Sequence, residues 1–403
     1  MTGTAGGVGV ERAGVRRHGR LAAVVRPVLR WWSGWPTWAG WAAALWSLCY
    51  GALGLYWTLG GPGFPFGREN DWEADHVLSI LADATVRVGG PVVALLGLLS
   101  TVVAVVMTRG RGSGAIRTAL LTFGWTLAAV LAVLIPDFRL LMLLTRVPFI
   151  LLAPFFGMPG GHGVADFLPW TRVNLLVMVI GGALWAMAAL AYQRRTSGAC
   201  GNCGRDGRVA SWTTPDSARR WGTWAVVVAA LSPTFYAATR IAWAMGITWG
   251  ISDRFYRENV DSGMFLGGLA IAAMAIGGAG LTLGLVQRWG EIFPRWIWFM
   301  KGRPVPPPMA IIPASVVSVF VMSAGIMEVR WAFIRGVDPD GWALTGPGWA
   351  WPLWGLALGL ATYAYYLRRR TACQHCGLGP TPDRSAEPAT QSKARGEEPA
   401  SIS

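Results

Sequence analysis

Charge is what this chain has least of. Only 14% of its 403 residues are Asp, Glu, Lys or Arg, where a soluble domain carries roughly a quarter. With 53% hydrophobic residues beside that deficit, an ordinary soluble fold is excluded and a membrane protein is indicated. No Asp, Glu or His falls in the middle of a long apolar run. Proton- or sodium-coupled transporters carry such groups at the bilayer midplane, so their absence argues against coupled transport. There is no Walker loop, dinucleotide fingerprint, HExxH or nucleophile elbow, and no acid–base pair that would single out an enzyme class. Cysteine is sparse at five residues. Leu48 before Cys49 is not the small residue of a lipoprotein site, and no cleavage site follows the Arg-rich first thirty residues, so the first apolar run reads as a retained anchor.

What the chain does have is apolar runs edged with tryptophan, as in Trp31, Trp32, Trp35, Trp170, Trp296 and Trp349, the placement of indole rings at a bilayer interface. Spans are expected near 38–60, 88–107, 117–136, 173–193, 222–246, 262–287, 308–327 and 349–367, each close to the ~20 residues a helix needs to cross the hydrocarbon. The expected fold is all-α and polytopic, with about eight transmembrane helices. The net charge of +14 would suggest nucleic acid in a soluble protein. Here the Lys and Arg gather on one side of these spans and the acids on the other, a positive-inside bias that needs no nucleic-acid partner. It places both termini in the cytoplasm of a multi-pass cell-membrane protein. The stretch 138–156 is apolar too, but Arg139, Arg146, Pro148 and Pro154 argue for an interfacial or re-entrant hairpin on the outer face.

The chain repeats itself. Arg194-Arg195-Thr196-Ser197-Gly198-Ala199-Cys200-Gly201-Asn202-Cys203-Gly204 is echoed by Arg369-Arg370-Thr371-Ala372-Cys373-Gln374-His375-Cys376-Gly377. Tyr50, Ala52, Trp57 and Gly60 match Tyr236, Ala238, Trp243 and Gly246, and the tripeptide Arg68-Glu69-Asn70 recurs as Arg257-Glu258-Asn259. The organisation expected is a basic cytoplasmic tail (1–30), a four-helix repeat ending in a CxxC knuckle (31–208), a second such repeat (209–377) and a disordered cytoplasmic tail (378–403). Four spans per half give both repeats one orientation and a pseudo-twofold axis along the membrane normal. Tyr56-Trp57-Thr58-Leu59-Gly60-Gly61 through Gly67, with Gly290-Glu291-Ile292-Phe293-Pro294-Arg295-Trp296, resembles a group of uncharacterised actinobacterial polytopic membrane proteins with a YWxLGG-type first helix. That resemblance covers most of the membrane portion and implies a location, not an activity.

Cys200, Cys203, Cys373 and Cys376 are the sharpest chemical signal. Two CxxC turns brought together by the fold would make a four-thiolate zinc site; redox-active thiols, or thiols with no bound partner, are the other readings. His375 could replace one thiolate. Arg68, Glu69 and Asn70 with Arg257, Glu258 and Asn259 are candidates for ligand or partner binding, against the plainer reading of solvated loops. Arg240, two-thirds through the fifth span, is either functional or snorkels outward towards Asp253 or Glu258. His162 reads as a solvated residue of an outer turn. Gly280/Gly284 and Gly355/Gly359, like Gly51, Gly54 and Gly60, suit close helix packing within the chain, with the oligomeric state left open. Two functions are expected from this pattern. One is a membrane regulator or sensor holding a cytoplasmic protein at its basic inner face, an anti-sigma-like protein being one form. The other is a permease, exporter or immunity-type protein using the cleft between repeats.

Overall fold

A computed structural model describes residues 33–110, 112–156, 168–298 and 300–379, with side chains to 147 in the segment that ends at 156. Residues 1–30, His162 and the tail from 380 lie outside the described residues. The long helices are α1 (Trp35–Thr58), α2 (Val86–Arg109), α3 (Gly114–Ala129), α4 (Phe138–Phe156), α5 (Trp170–Thr196), α6 (Pro215–Ala244), α7 (Met264–Leu283), α8 (Pro307–Arg335) and α9 (Trp351–Arg369). A π-helical turn, Val130–Leu134, continues α3. Among the described residues there is no β-strand, only an isolated bridge between Ile292 and Pro304.

Six of these helices are long and apolar enough to cross a membrane: α2, α3 with its π turn, α5, α6, α7 and α8. Their outward faces are apolar as well; Leu95, Leu98, Ile116, Leu231, Leu266 and Leu281 are all exposed. Water does not tolerate so much contiguous apolar surface, and lipid does. Helices α1 and α9 occupy the positions of the first and eighth expected spans but fall short of the same hydropathy. Trp35, Trp38, Trp41, Trp46 and Trp57 in α1, and Trp351, Trp354, Tyr363 and Tyr366 in α9, are the cause. Such amphipathic rings prefer the interface, so they lower a segment's hydropathy without making it soluble.

The segment 138–156 is one continuous helix, not a hairpin. Arg139 costs little there, because it is paired (below).

Helix α1 packs on α2 and α5, and α3 packs on α5; α6 packs in the same way on α7 and α9, and α8 on α9. The α1–α2 contact is backbone against backbone. A Cβ added at Gly97 would lie 2.4 Å from the Gly51 Cα, and one at Gly54 2.5 Å from the Ala94 nitrogen. A Cβ at Gly355 would lie 2.8 Å from backbone atoms of Ser318 and Met322 in α8, and Gly182 meets Ala128 of α3 and Ala132 of its π turn. Gly280, by contrast, faces open space, so its small-residue spacing is not used for packing inside the chain.

Trp57, Phe64 and Phe66 of the Tyr56–Gly67 motif join Tyr50 in an aromatic ladder. Tyr50, Trp57, Phe64 and Phe66 meet edge to face at ring separations of 5.5–5.9 Å. Tyr50 also donates to Asn174 Oδ1 of α5 at 2.8 Å. The first five long helices meet the last four where α8 lies on α4 and on the π turn. Leu140, Leu175 and Phe320 form the apolar part of this seam. Ser323 donates to the Pro136 carbonyl at 2.6 Å, and Arg330 to that of Leu78 at 2.8 Å.

Gly97→Leu is expected to push α1 and α2 apart at a cost of about 1–3 kcal/mol or more, whereas Gly280→Ala leaves stability unchanged or slightly raised. Thermal unfolding in mild detergent checks both, and equal losses at the two positions would contradict this packing.

Candidate metal centre and charged ends

Helices α5 and α9 each end in arginines and then turn sharply. In the first turn Cys200 N–H donates to Arg205 O and Gly204 N–H to Cys200 O, both at 2.8 Å. In the second, Cys373 N–H donates to Leu378 O at 3.0 Å and Gly377 N–H to Cys373 O at 2.8 Å. Gly204 (φ +74°) and Gly377 (φ +72°) close the two turns in the left-handed region, where only glycine sits without strain. The two knuckles are one local structure made twice.

The fold brings them face to face. Cys200 Sγ lies 4.0 Å from Cys373 Sγ, and Cys203 Sγ 3.5 Å from Cys376 Sγ, across 173 positions of sequence. All four sulfurs lie within 4.8 Å of one another, and none is in a disulfide. A tetrahedral metal with metal–sulfur bonds of ~2.3 Å sets its sulfurs roughly 3.8 Å apart, so the donor set and spacing suit a thiolate-bound ion. His375 is exposed and is not part of the group.

The surroundings favour thiolate at Cys373 and Cys200. The Arg205 amide approaches Cys203 Sγ at 3.5 Å. Amides of Cys376 and His375 lower the Cys373 pKa to about 6, and those of Cys203 and Asn202 lower Cys200. Burial pushes Cys203 up to about 12. Four thiols this close cannot all ionise unaided; a cation among them removes the conflict.

Arginines that the sequence left unassigned hold the knuckles. Arg194 donates to the carbonyls of Gly201 and Asn202, each at 2.9 Å, and lies over the Trp35 ring. Arg205 crosses from the first knuckle to the second, donating to Thr371 O at 3.1 Å and to Leu378 O. The Arg-Arg pairs do not correspond as the sequence suggests. Arg195 lies over Tyr192 and donates to Met107 O at the end of α2; Arg368 lies over Tyr365 and reaches Leu285 O just past α7. Arg195 and Arg368, like Tyr192 and Tyr365, keep the spacing of the cysteines, so the equivalent arginines are Arg195 and Arg368, not Arg195 and Arg370.

At the opposite end the repeated tripeptides close their own loops. Asn70 Nδ2 donates to Phe66 O at 3.1 Å, and Asn259 Nδ2 to Phe255 O at 2.9 Å. Arg68 pairs with Asp75 and Asp83, and Glu258 with Arg254 at 2.8 Å; Glu69 and Arg257 are exposed. The two tripeptides are not brought together by any of these contacts.

Arg240 does not reach Asp253 or Glu258. It is 9% exposed, its guanidinium 4.4 Å from the Tyr236 ring centre and 4.1 Å from that of Trp243. It donates to Ala343 O at 2.9 Å and Leu344 O at 3.2 Å. The loop before α9 folds in over α6 and supplies carbonyls closer than any carboxylate.

A buried ion network went unread in the sequence. Arg139 bonds Asp137 (2.6 Å) and Asp71 (2.5 Å), with Glu73 at 3.7 Å; Glu73 in turn pairs with Arg172 at 2.6 Å. Arg139, Asp71 and Asp137 are each 5% exposed or less. Asp137-x-Arg139 and Glu328-x-Arg330, at matching places after the third and seventh expected spans, were the available signal.

Removing one member of so buried a network leaves charges unpaired, so Arg139→Ala is expected to cost about 3–5 kcal/mol, whereas Arg254→Ala at an exposed pair changes nothing measurable. Thermal melts of both variants test the contrast. In chelator-treated protein at pH 7, above its pKa of about 6, Cys373 is expected to be thiolate and alkylated first, its rate falling as pH drops through that value. Cys203 stays a thiol and reacts slowly. Peptide mass spectrometry orders the sites, and fast alkylation at Cys203 would contradict the account. No protein-family model, no curated protein and no solved structure matches the chain.

Proposed function

We propose that the chain is an eight-span membrane protein of two tandem four-helix repeats in one orientation, with its termini and knuckles in the cytoplasm. In this reading it is a regulator or sensor that holds a cytoplasmic protein at its basic inner face, and a zinc ion bound by Cys200, Cys203, Cys373 and Cys376 joins the repeats there. The observation that carries it is the four-sulfur cluster, because two sulfurs come from the end of α5 and two from the end of α9. The repeat reading is supported by the parallel helix pairings and by identical knuckle hydrogen bonds.

A metal there ties two ends of the membrane unit into one platform. Thiolates suit zinc, and the bound ion would add binding free energy to the fold. Around it Arg109, Arg208, Arg219, Arg220, Arg295 and Arg303 crowd the same end, whereas Asp75, Asp83, Asp253, Asp261, Asp338 and Asp340 lie at the other. The positive-inside rule then turns the knuckles to the cytoplasm, where reducing conditions keep thiols available for metal. Such a face attracts an acidic protein surface. The seam between the halves supports transport less well. It is closed by side chains, and its cavity, about 20 Å³, has room for little beyond a water. A clamp across both halves also resists the rocking that alternating access requires.

The test is purification in mild detergent from the native host, with metal analysis and mass spectrometry of co-purifying soluble proteins. One zinc per chain and a stoichiometric soluble partner are expected. The Cys200→Ser/Cys373→Ser variant should lose both, whereas Arg219→Glu/Arg220→Glu should keep the zinc and lose the partner. A folded, zinc-loaded chain without a partner would overturn the regulator reading.

A further inference from the structure

Beside the knuckles, where the loop after the first one meets the start of α6 and the end of α9, lies a cavity of about 150 Å³. Arg205, Arg208 and Arg370 line it together with Leu367, Val209 and Pro215. Arg205 is the informative side chain. Its Nη1 is fixed by the carbonyls of Thr371 and Leu378, while its Nη2 is shielded from solvent and has no hydrogen-bond partner. A buried guanidinium nitrogen without an acceptor is costly. None of the three guanidiniums is in an ion pair among the described residues. The nearby acids do not serve them: Asp206 accepts the Arg208 backbone N–H at 3.0 Å, and Asp216 lies in the exposed first turn of α6.

We propose that this cavity is a phosphate-binding site. Planar, permanently charged guanidiniums arranged around a small space match the oxygens of a phosphate. The volume is well below the roughly 300–1,000 Å³ of pockets that enclose a whole small molecule, so the site takes a headgroup-sized group and leaves any remainder outside. Depth favours a lipid as its source. Trp212, Trp221 and Tyr363 cluster beside the cavity with rings 6.2–6.5 Å apart, and Trp221 Nε1 donates to Trp212 O at 3.1 Å. Such rings mark the interface, where phospholipid phosphates lie. The apolar wall formed by Leu367 and Val209 suits the glycerol end of a lipid. The site goes beyond the regulator reading, and it requires neither zinc nor a protein partner.

The experiment uses the full chain, delipidated in detergent. It is titrated with phosphatidylglycerol in mixed micelles, followed by native mass spectrometry, and with inorganic phosphate, followed by calorimetry. Arg208→Gln and Arg370→Gln are each expected to weaken binding about ten-fold, the loss of one charge-assisted contact, while Arg254→Gln at the opposite end leaves it unchanged. Arg208 has no side-chain partner, so its variant keeps the knuckles braced, which Arg205→Gln would not. Lipid binding that inorganic phosphate does not displace identifies a headgroup site. Binding of inorganic phosphate that displaces the lipid identifies a site for free phosphate, and both results support the proposal. It is overturned if neither probe binds, or if both glutamine variants bind as the parent does.

Discussion

Lipid tails are as apolar as leucine, so burying apolar side chains does little to hold helices together inside a bilayer. Everything else in this molecule follows from that constraint. Helices must meet through close backbone contact and through polar ties that lipid cannot offer. Gly51 and Gly97 bring α1 and α2 into backbone contact, and Gly355 does the same for α9 on α8. Tyr50 to Asn174, Trp185 to Ser47 and Ser318 to the Gly355 carbonyl then fix the rotation of one helix on another.

Much of this is legible in the residues, and what is not has a physical reason. Helix positions follow from apolar length alone, which is why α5 and α8 lie where hydropathy places them. The trough at α1 arises because tryptophan scores poorly on a scale of transfer into hydrocarbon, though it suits the interface. The thiol cluster follows from a doubled CxxC and two like-oriented helices. The arginine correspondence is different: Arg-Arg-Thr occurs twice by letter, but what counts is the distance from Tyr192 or Tyr365, a matter of helical turns and not of adjacent letters. The partners of Arg240, and one of those of Arg139, were hidden for a common reason. They are the backbone carbonyls of Ala343 and Leu344 in one case and the remote Asp71 in the other, each delivered by a distant loop, whereas Asp137 lies only two residues from Arg139.

The two ends of the seam are held by unlike chemistry. At one end, buried carboxylates and guanidiniums lock the loop after α1 to the start of α4, and Arg330 reaches across to the same loop. At the other, four sulfurs and the bridging Arg205 join the ends of α5 and α9. Between them lie Leu140, Leu175 and Phe320. A unit fastened at both ends with an apolar middle behaves as a frame.

The knuckles also carry a clock. Ribosomes deliver helices in order, and Cys200 and Cys203 enter the world with α5, while Cys373 and Cys376 follow α9, the last helix of the unit. The first dithiol must therefore wait, half a cluster, until α6 to α9 have been made. The four sulfurs can meet only in a chain whose later helices already exist, so the complete cluster marks a complete set of helices.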